Sequence, residues 1–144
     1  MARVLDGIRV LDLGRYLAGP IAGAFLADMG AEVIRVEKPG GEIDRELGPF
    51  APNGESFPYG LINHRNKKAI TLDLDVEAGR QVFRDLVKRS DVVMDNFALD
   101  AKTAKGLTYD SLKQVNPAII YVSVTGFGLT GPYVHRSSFD PGAQ

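Results

Sequence analysis

With 144 residues, 44% of them hydrophobic and 24% charged, the chain has the size and composition of one globular domain able to bury a core. A net charge of −1 argues against a nucleic-acid or membrane-surface partner recruited by bulk charge, and the lack of cysteine excludes disulfides, thiolate catalysis and cysteine-based metal sites. Met1–Gly7 lacks the basic-then-apolar order of a secretory signal, and no apolar run approaches the roughly 18 residues of a membrane span, so a cytoplasmic location is the expectation.

Ile8–Leu13 is a short apolar run of strand character, followed by a turn over Gly14–Gly19. Pro20–Met29 has helical spacing: Pro20 suits the first helical position, and Ala22, Phe25, Leu26 and Met29 form a stripe ending at Gly30. Glu32–Glu37 alternates as a second strand. A βαβ unit of this kind sets a helix N-terminus at the end of a parallel strand, where phosphates and nucleotide tails bind. Its turn nevertheless lacks the G-x-G-x-x-G spacing of dinucleotide folds.

Residues 38–60 hold so many prolines and glycines that a long loop is expected, of the kind that is usually functional or partly disordered. Lys68–Leu74 alternates as a strand, Asp75 can cap the helix that follows, and Val82, Phe83, Leu86 and Val87 form that helix's buried face. Glu77 near its start and Lys88 with Arg89 near its end agree with the helix dipole. Asp91–Asp95 is a further strand. Asp100–Lys105 makes a turn or two of helix stopped by Gly106, and Thr108 caps a short helix through Val115 that Asn116-Pro117 ends. Ala118–Thr125 reads as a buried strand and Gly126–Pro132 as a glycine-rich loop. Phe139–Gln144 stops after a turn without a closing element, so the chain looks truncated. Strands alternating with helices predict an α/β fold, a Rossmann-like parallel sheet with helices on both faces, in a single domain over residues 1–144.

In such a sheet the functional residues gather at the carboxyl ends of the strands. Four segments stand there: Gly14–Ala18, Glu37–Gly41, Asn96-Phe97 and Thr125–Gly131. Arg15, Lys38, Lys67 and Lys68 could supply charge to a phosphate, and Tyr16 and Phe97 could cover a ring or a thioester chain. Plainer roles compete. Asn96 after a strand is often a turn former, and Lys67-Lys68 is more often a solvated strand entry. Glu37 would hold a ribose only in a fold with the glycine fingerprint. His64 and His135 lack partners at metal-binding spacing and read as surface residues. Ser137-Ser138 lies in no nucleophile elbow. No catalytic residue and no metal ligand is assigned.

Motifs in register along the chain resemble the family III CoA-transferases (CaiB/BaiF family). They run from Leu5–Asp12 through Ala18–Pro20, Leu26–Ile34, Val36-Glu37, Asn66–Lys68, Leu72–Leu74, Asp91-Val92 and Asn96-Phe97 to Asn116-Pro117, Ser123 and Gly126–Pro132. The family includes formyl-CoA:oxalate and carnitine CoA-transferases, with α-methylacyl-CoA racemases as relatives. The resemblance implies a Rossmann-like N-terminal part that binds coenzyme A as its acyl-CoA substrate, exchanges it with carboxylic acids, and belongs to a longer chain forming an interlaced homodimer. It implies CoA contacts at Arg15, Tyr16, Leu17, Ala18, Lys38, Leu72, Asn96, Phe97 and Ala101.

Two departures appear. An arginine common in the family two residues before Gly106 is Ala104 here, with Lys105 or Lys102 in its place as phosphate contact. A basic residue near Ser137 is also missing. The family's acyl-accepting aspartate would lie beyond Gln144, so the chain alone is expected to be inactive. A carboxylate suits that role because it splits the acyl transfer into two easier steps. Racemases carry a histidine where Phe139 stands, which favours transfer over racemisation. A racemase-type enzyme, a non-catalytic nucleotide-binding or interaction module and an NAD-dependent dehydrogenase are the alternatives.

Overall fold

A computed structural model describes residues 3–143. Five strands, β1 (Arg9–Asp12), β2 (Glu32–Glu37), β3 (Lys68–Thr71), β4 (Val92–Asp95) and β5 (Ile120–Ser123), form one parallel sheet in the order β3-β2-β1-β4-β5. The chain winds outward from β1 in one direction and then, from β4, in the other. The strand order therefore reverses between β1 and β4, the place where open α/β sheets open a crevice at their carboxyl edge. Val10 lies opposite Val33 on one side and Val92 on the other, so the central strand is hydrogen-bonded along both edges.

Alternate residues of the central strands serve opposite faces, as the pleat requires. Val10, Val33 and Met94 pack with Ala27 and Ala31, under α1 (Ala18–Asp28). Leu11, Val36 and Val93 join Phe83, Val87, Leu107 and Leu112 on the other face, under α2 (Glu77–Val87) and α4 (Tyr109–Val115). Helices thus cover both faces, as the alternation of elements predicts. The short α3 (Leu99–Ala104) follows β4, and Gly106, at φ +69°, ends the turn after it. Thr108 caps α4 by accepting the Ser111 N–H at 3.3 Å. The loop of residues 38–67 holds a 3₁₀ turn over Ile43–Glu46 and a π-helical turn over Pro58–Asn63. A last helical turn, α5 (Asp140–Ala143), follows Phe139; Gln144, the end of the terminal turn expected from the sequence, lies outside the described residues.

Several local expectations are corrected. Helix α1 begins two residues before Pro20, which sits third, still within the first turn where no N–H is needed. Its buried face is Gly19, Pro20, Gly23, Ala24 and Ala27, whereas Phe25 and Met29 are 52% and 48% exposed. The reason is close approach: a Cβ on Gly23 would stand 2.8 Å from Asp12 Oδ2 and 3.0 Å from Lys67 Nζ. A glycine is needed at position 23 because α1 passes there directly over the buried Asp12–Lys67 pair, while Ala27 packs on the apolar cluster of the same face. Val82 is exposed on α2, and Asp75 does not cap it; the N-cap is Val76, which offers no side-chain bond. Strand β5 is an edge strand, with Ile120 at 59% exposure, because no described helix covers its Ile120–Val122 side. Among the described residues no helix is long and apolar enough to cross a membrane.

Candidate functional site at the carboxyl edge

The turn after β1 is tight. Gly14 donates its N–H to Asp12 Oδ1 at 2.8 Å, and a Cβ on Gly19 would stand 3.2 Å from the Gly14 Cα, so the two glycines let strand end and helix start touch. Between them Tyr16 adopts φ +62°, a left-handed conformation that costs a non-glycine residue about 1 kcal/mol. Neighbours impose it. Asn63 Nδ2 donates to the Tyr16 carbonyl at 2.7 Å, and Asn96 grips Arg15 from both sides, accepting its N–H at 2.7 Å and donating to its carbonyl at 2.8 Å. Asn96 is therefore more than a turn former: it fixes the backbone of the β1 loop from the end of β4.

That clamp aims the Arg15 side chain across the strand ends. Its guanidinium lies 4.3 Å above the Phe97 ring, and its Nε stands 2.9 Å from Glu42 Oε2. Arg15 and Phe97 share a cleft with Leu13, Lys38, Leu72, Asp73, Asp75 and Lys105. Of the nine residues expected to meet CoA, Arg15, Lys38, Leu72 and Phe97 line this cleft. Tyr16 and Leu17 are exposed at the preceding turn, Ala18 starts α1, Asn96 is spent on the clamp, and Ala101 packs on the core under α3. The Thr125–Gly131 loop does not line the cleft. The segment after β3 does so instead, brought beside β2 by the Leu72 N–H donated to the Glu37 carbonyl at 2.8 Å. Lys105 reaches the cleft wall, held by exposed Asp75, whereas Lys102 is turned away from it.

Lys102 is 1% exposed and lies 2.9 Å from Asp95 Oδ1, with the Tyr121 and Ser123 hydroxyls beside its Nζ. The Asp95 carboxylate also accepts the Phe97 N–H at 2.9 Å and the Tyr121 hydroxyl. Burial, followed by this carboxylate, raises the Tyr121 phenol above its ordinary value. A buried ionic cluster thus sets the turn that carries Asn96 and Phe97, and Lys102 is spent on it.

A second buried network ties the 38–67 loop to the sheet. The Lys67 side chain, expected to be solvated, is 1% exposed and pairs with Asp12 at 2.6 Å; Lys68 alone is the surface residue. Arg35, also buried, stands 3.5 Å from Asp44, 3.6 Å from Glu37 and 4.0 Å from Asp12. Arg45 pairs with Glu37 at 2.8 Å, and Tyr59 donates its hydroxyl to the same carboxylate. His64, expected at the surface, packs its ring on Tyr59 and lies 3.1 Å from Asp44; His135 is the exposed one. The loop offers almost no apolar core residues, so charges do the fastening. Arg35 was hidden in the sequence by the alternation of Glu32–Glu37, which suggests an outward face that a strand covered on both sides does not have.

The network makes stability depend on pH. Burial pushes the His64 imidazole below its ordinary value, and Lys67 and Arg35 push it the same way against the pull of Asp44. Burial raises the Asp44 and Glu37 carboxyls, but His64 and Arg35 at the first, and Arg45, Tyr59 and Arg35 at the second, more than reverse this and leave both lowered. All three groups bind protons more tightly when unfolded, so stability rises with pH and falls as pH drops through their folded values. The expected loss begins near pH 6.5, where an unfolded histidine charges, and steepens below about pH 4.5 as the unfolded carboxyls protonate. Urea midpoints measured across this range check it, and His64→Gln should abolish the upper part. A midpoint constant between pH 7.5 and 5 would contradict it.

Fold and site together define a doubly wound α/β domain with a mixed-charge cleft at the carboxyl ends of β1 to β4. Comparison with known proteins narrows this. The profile of CoA-transferase family III matches residues 5–144, and the chain belongs to that family. A succinate–glutarate CoA-transferase of Agrobacterium fabrum is 47% identical over 142 residues, covering 94% of this chain and 36% of that protein. A formyl-CoA:oxalate CoA-transferase of Streptomyces avermitilis is 38% identical over 144 residues, covering 100% of this chain and 35% of that one. The crystal structure of a CAIB/BAIF family protein from Brucella suis superposes with a TM-score of 0.89 at 45% identity, over 97% of this chain and 38% of its own. The chain spans about a third of the length of these relatives.

Proposed function

We propose that these residues form the CoA-binding part of an enzyme that moves coenzyme A between carboxylic acids, and that the cleft over Phe97 receives the CoA. Family membership across nearly the whole chain carries this reading. The cleft fits it chemically: Arg15 and Lys105 offer cationic partners to phosphates, and the Phe97 ring and Leu72 offer apolar contact to the rest of the ligand. Acyl transfer through a mixed anhydride on an aspartate is the mechanism proposed for the whole enzyme. A cytoplasmic homodimer acting on acyl-CoA and free carboxylic acids is the corresponding cellular form.

Calorimetry tests the binding step. Coenzyme A titrated into the purified protein should release heat at submillimolar ligand. Arg15→Ala should weaken binding about tenfold, the scale of one charge-assisted phosphate contact. No heat from folded protein at millimolar CoA would refute the reading.

A further inference from the structure

Arg15 is the best-placed cation in the cleft, yet it is already engaged. Its backbone is fixed by Asn96 and its guanidinium is backed by Phe97, so it has little freedom to leave. Glu42, 6% exposed, reaches it from the loop after Gly40 and Gly41, with Oε2 at 2.9 Å from Nε and Oε1 accepting from Nη2 at 3.3 Å. The fit is imperfect. Arg15 Nε is sealed from solvent and finds no aligned hydrogen bond, although a carboxylate lies beside it. Glu42 itself has one other contact in the cleft, a long bond of 3.4 Å from the Lys38 N–H. Lys105 is likewise held by the Asp75 carboxylate. With Asp73 also on the wall, carboxylates balance the cations Arg15, Lys38 and Lys105 before any ligand arrives.

We infer that Glu42 is a built-in competitor for the ligand's anionic group: its carboxylate occupies the phosphate position at Arg15 and must be displaced when a phosphate binds. The inference rests on the CoA reading of the cleft and adds a charge requirement to it. A singly charged carboxylate on the ligand only exchanges like for like at Arg15. A phosphate, carrying more charge and three acceptor oxygens, can satisfy both the guanidinium fork and the unaligned Nε. The cleft therefore selects the phosphorylated end of its ligand and rejects carboxylate-bearing molecules that lack one. Glu42 moves with its glycine-flanked loop while Arg15 stays.

Glu42→Gln removes the charge while keeping size and an acceptor for the Lys38 N–H. Calorimetry with coenzyme A should show binding tightened about fivefold, the worth of an ion pair with one partner partly exposed, whereas pantetheine, which lacks phosphate, should bind equally to both proteins. In an Arg15→Gln background the same Glu42→Gln change should alter CoA affinity less than twofold. A gain that persists there would mean diffuse charge relief and overturn the inference. Weaker CoA binding by Glu42→Gln, with an unchanged thermal transition, would overturn it too, since Glu42 would then be a support for Arg15. Should Glu42→Gln lose stability, Glu42→Ala/Arg15→Lys compared with Arg15→Lys reads the same coupling. Folded wild-type and Glu42→Gln proteins that both ignore CoA would overturn the CoA reading itself. Binding by the wild type with no change in the variant overturns the competitor alone.

Discussion

Replacing Asp12 with alanine is expected to cost about 3–5 kcal/mol of unfolding stability, the range for breaking a buried ion pair by removing one partner. Asp12 is fully buried; it holds Lys67 Nζ at 2.6 Å, accepts the Gly14 N–H at 2.8 Å, and has the Arg35 guanidinium 4.0 Å away. Without it the Lys67 ammonium keeps only the Pro20 carbonyl at 2.7 Å and His64 Nδ1 at 3.4 Å, with no carboxylate to balance its charge beneath α1. A domain of ordinary stability, about 5–15 kcal/mol, would be left marginal. Asp12→Ala/Lys67→Met should regain most of the loss, because the worst consequence is the stranded ammonium, not the missing bond. Chemical denaturation of the three proteins measures this. A loss below about 1 kcal/mol for Asp12→Ala, or a double variant worse than the single, would contradict the account.

The same cluster shows where sequence reading succeeds and where it stops. Strand and helix positions follow from local rules: the period of Glu32–Glu37, the Thr108 cap and the Gly106 stop all appear where those rules place them. Family motifs then carried the chain to its fold. What local rules miss is which polar residues are buried, since that is decided by elements distant in sequence. Lys67 looks like a solvated strand entry until α1 closes over Asp12, 55 residues earlier. Asp75 looks like a helix cap until Lys105, 30 residues later, takes its carboxylate. Helix α1 is misjudged for a related reason: hydrophobic spacing points to Phe25 and Met29, but close approach to a charged pair demands glycine at position 23 and so sets which face meets the sheet. The cleft was half legible. Arg15, Lys38 and Phe97 stand at strand ends where the topology gathers them and Leu72 followed from the family resemblance, while Glu42 and Asp73 became visible only once the loops had folded back.

Lys102 and Lys105 separate these two kinds of information experimentally. From sequence either lysine can stand in for the missing arginine at Ala104; by geometry only Lys105 is available. Lys102→Met should lower stability by about 3 kcal/mol or more, because Asp95 would keep only the Tyr121 hydroxyl and the Phe97 N–H against a buried negative charge. Its effect on CoA would pass through the turn that carries Asn96 and Phe97, and so should scale with loss of structure rather than with salt. Lys105→Met should do the reverse. That lysine pairs with an exposed carboxylate, so its removal should change stability by less than about 1 kcal/mol. Binding of CoA should weaken about fivefold, with a shallower dependence on ionic strength as one phosphate contact is lost. Thermal melts and calorimetry at two salt concentrations decide the matter. A Lys102→Met protein that melts with the wild type but fails to bind CoA would return Lys102 to the ligand and undo the assignment of Asp95 as its partner.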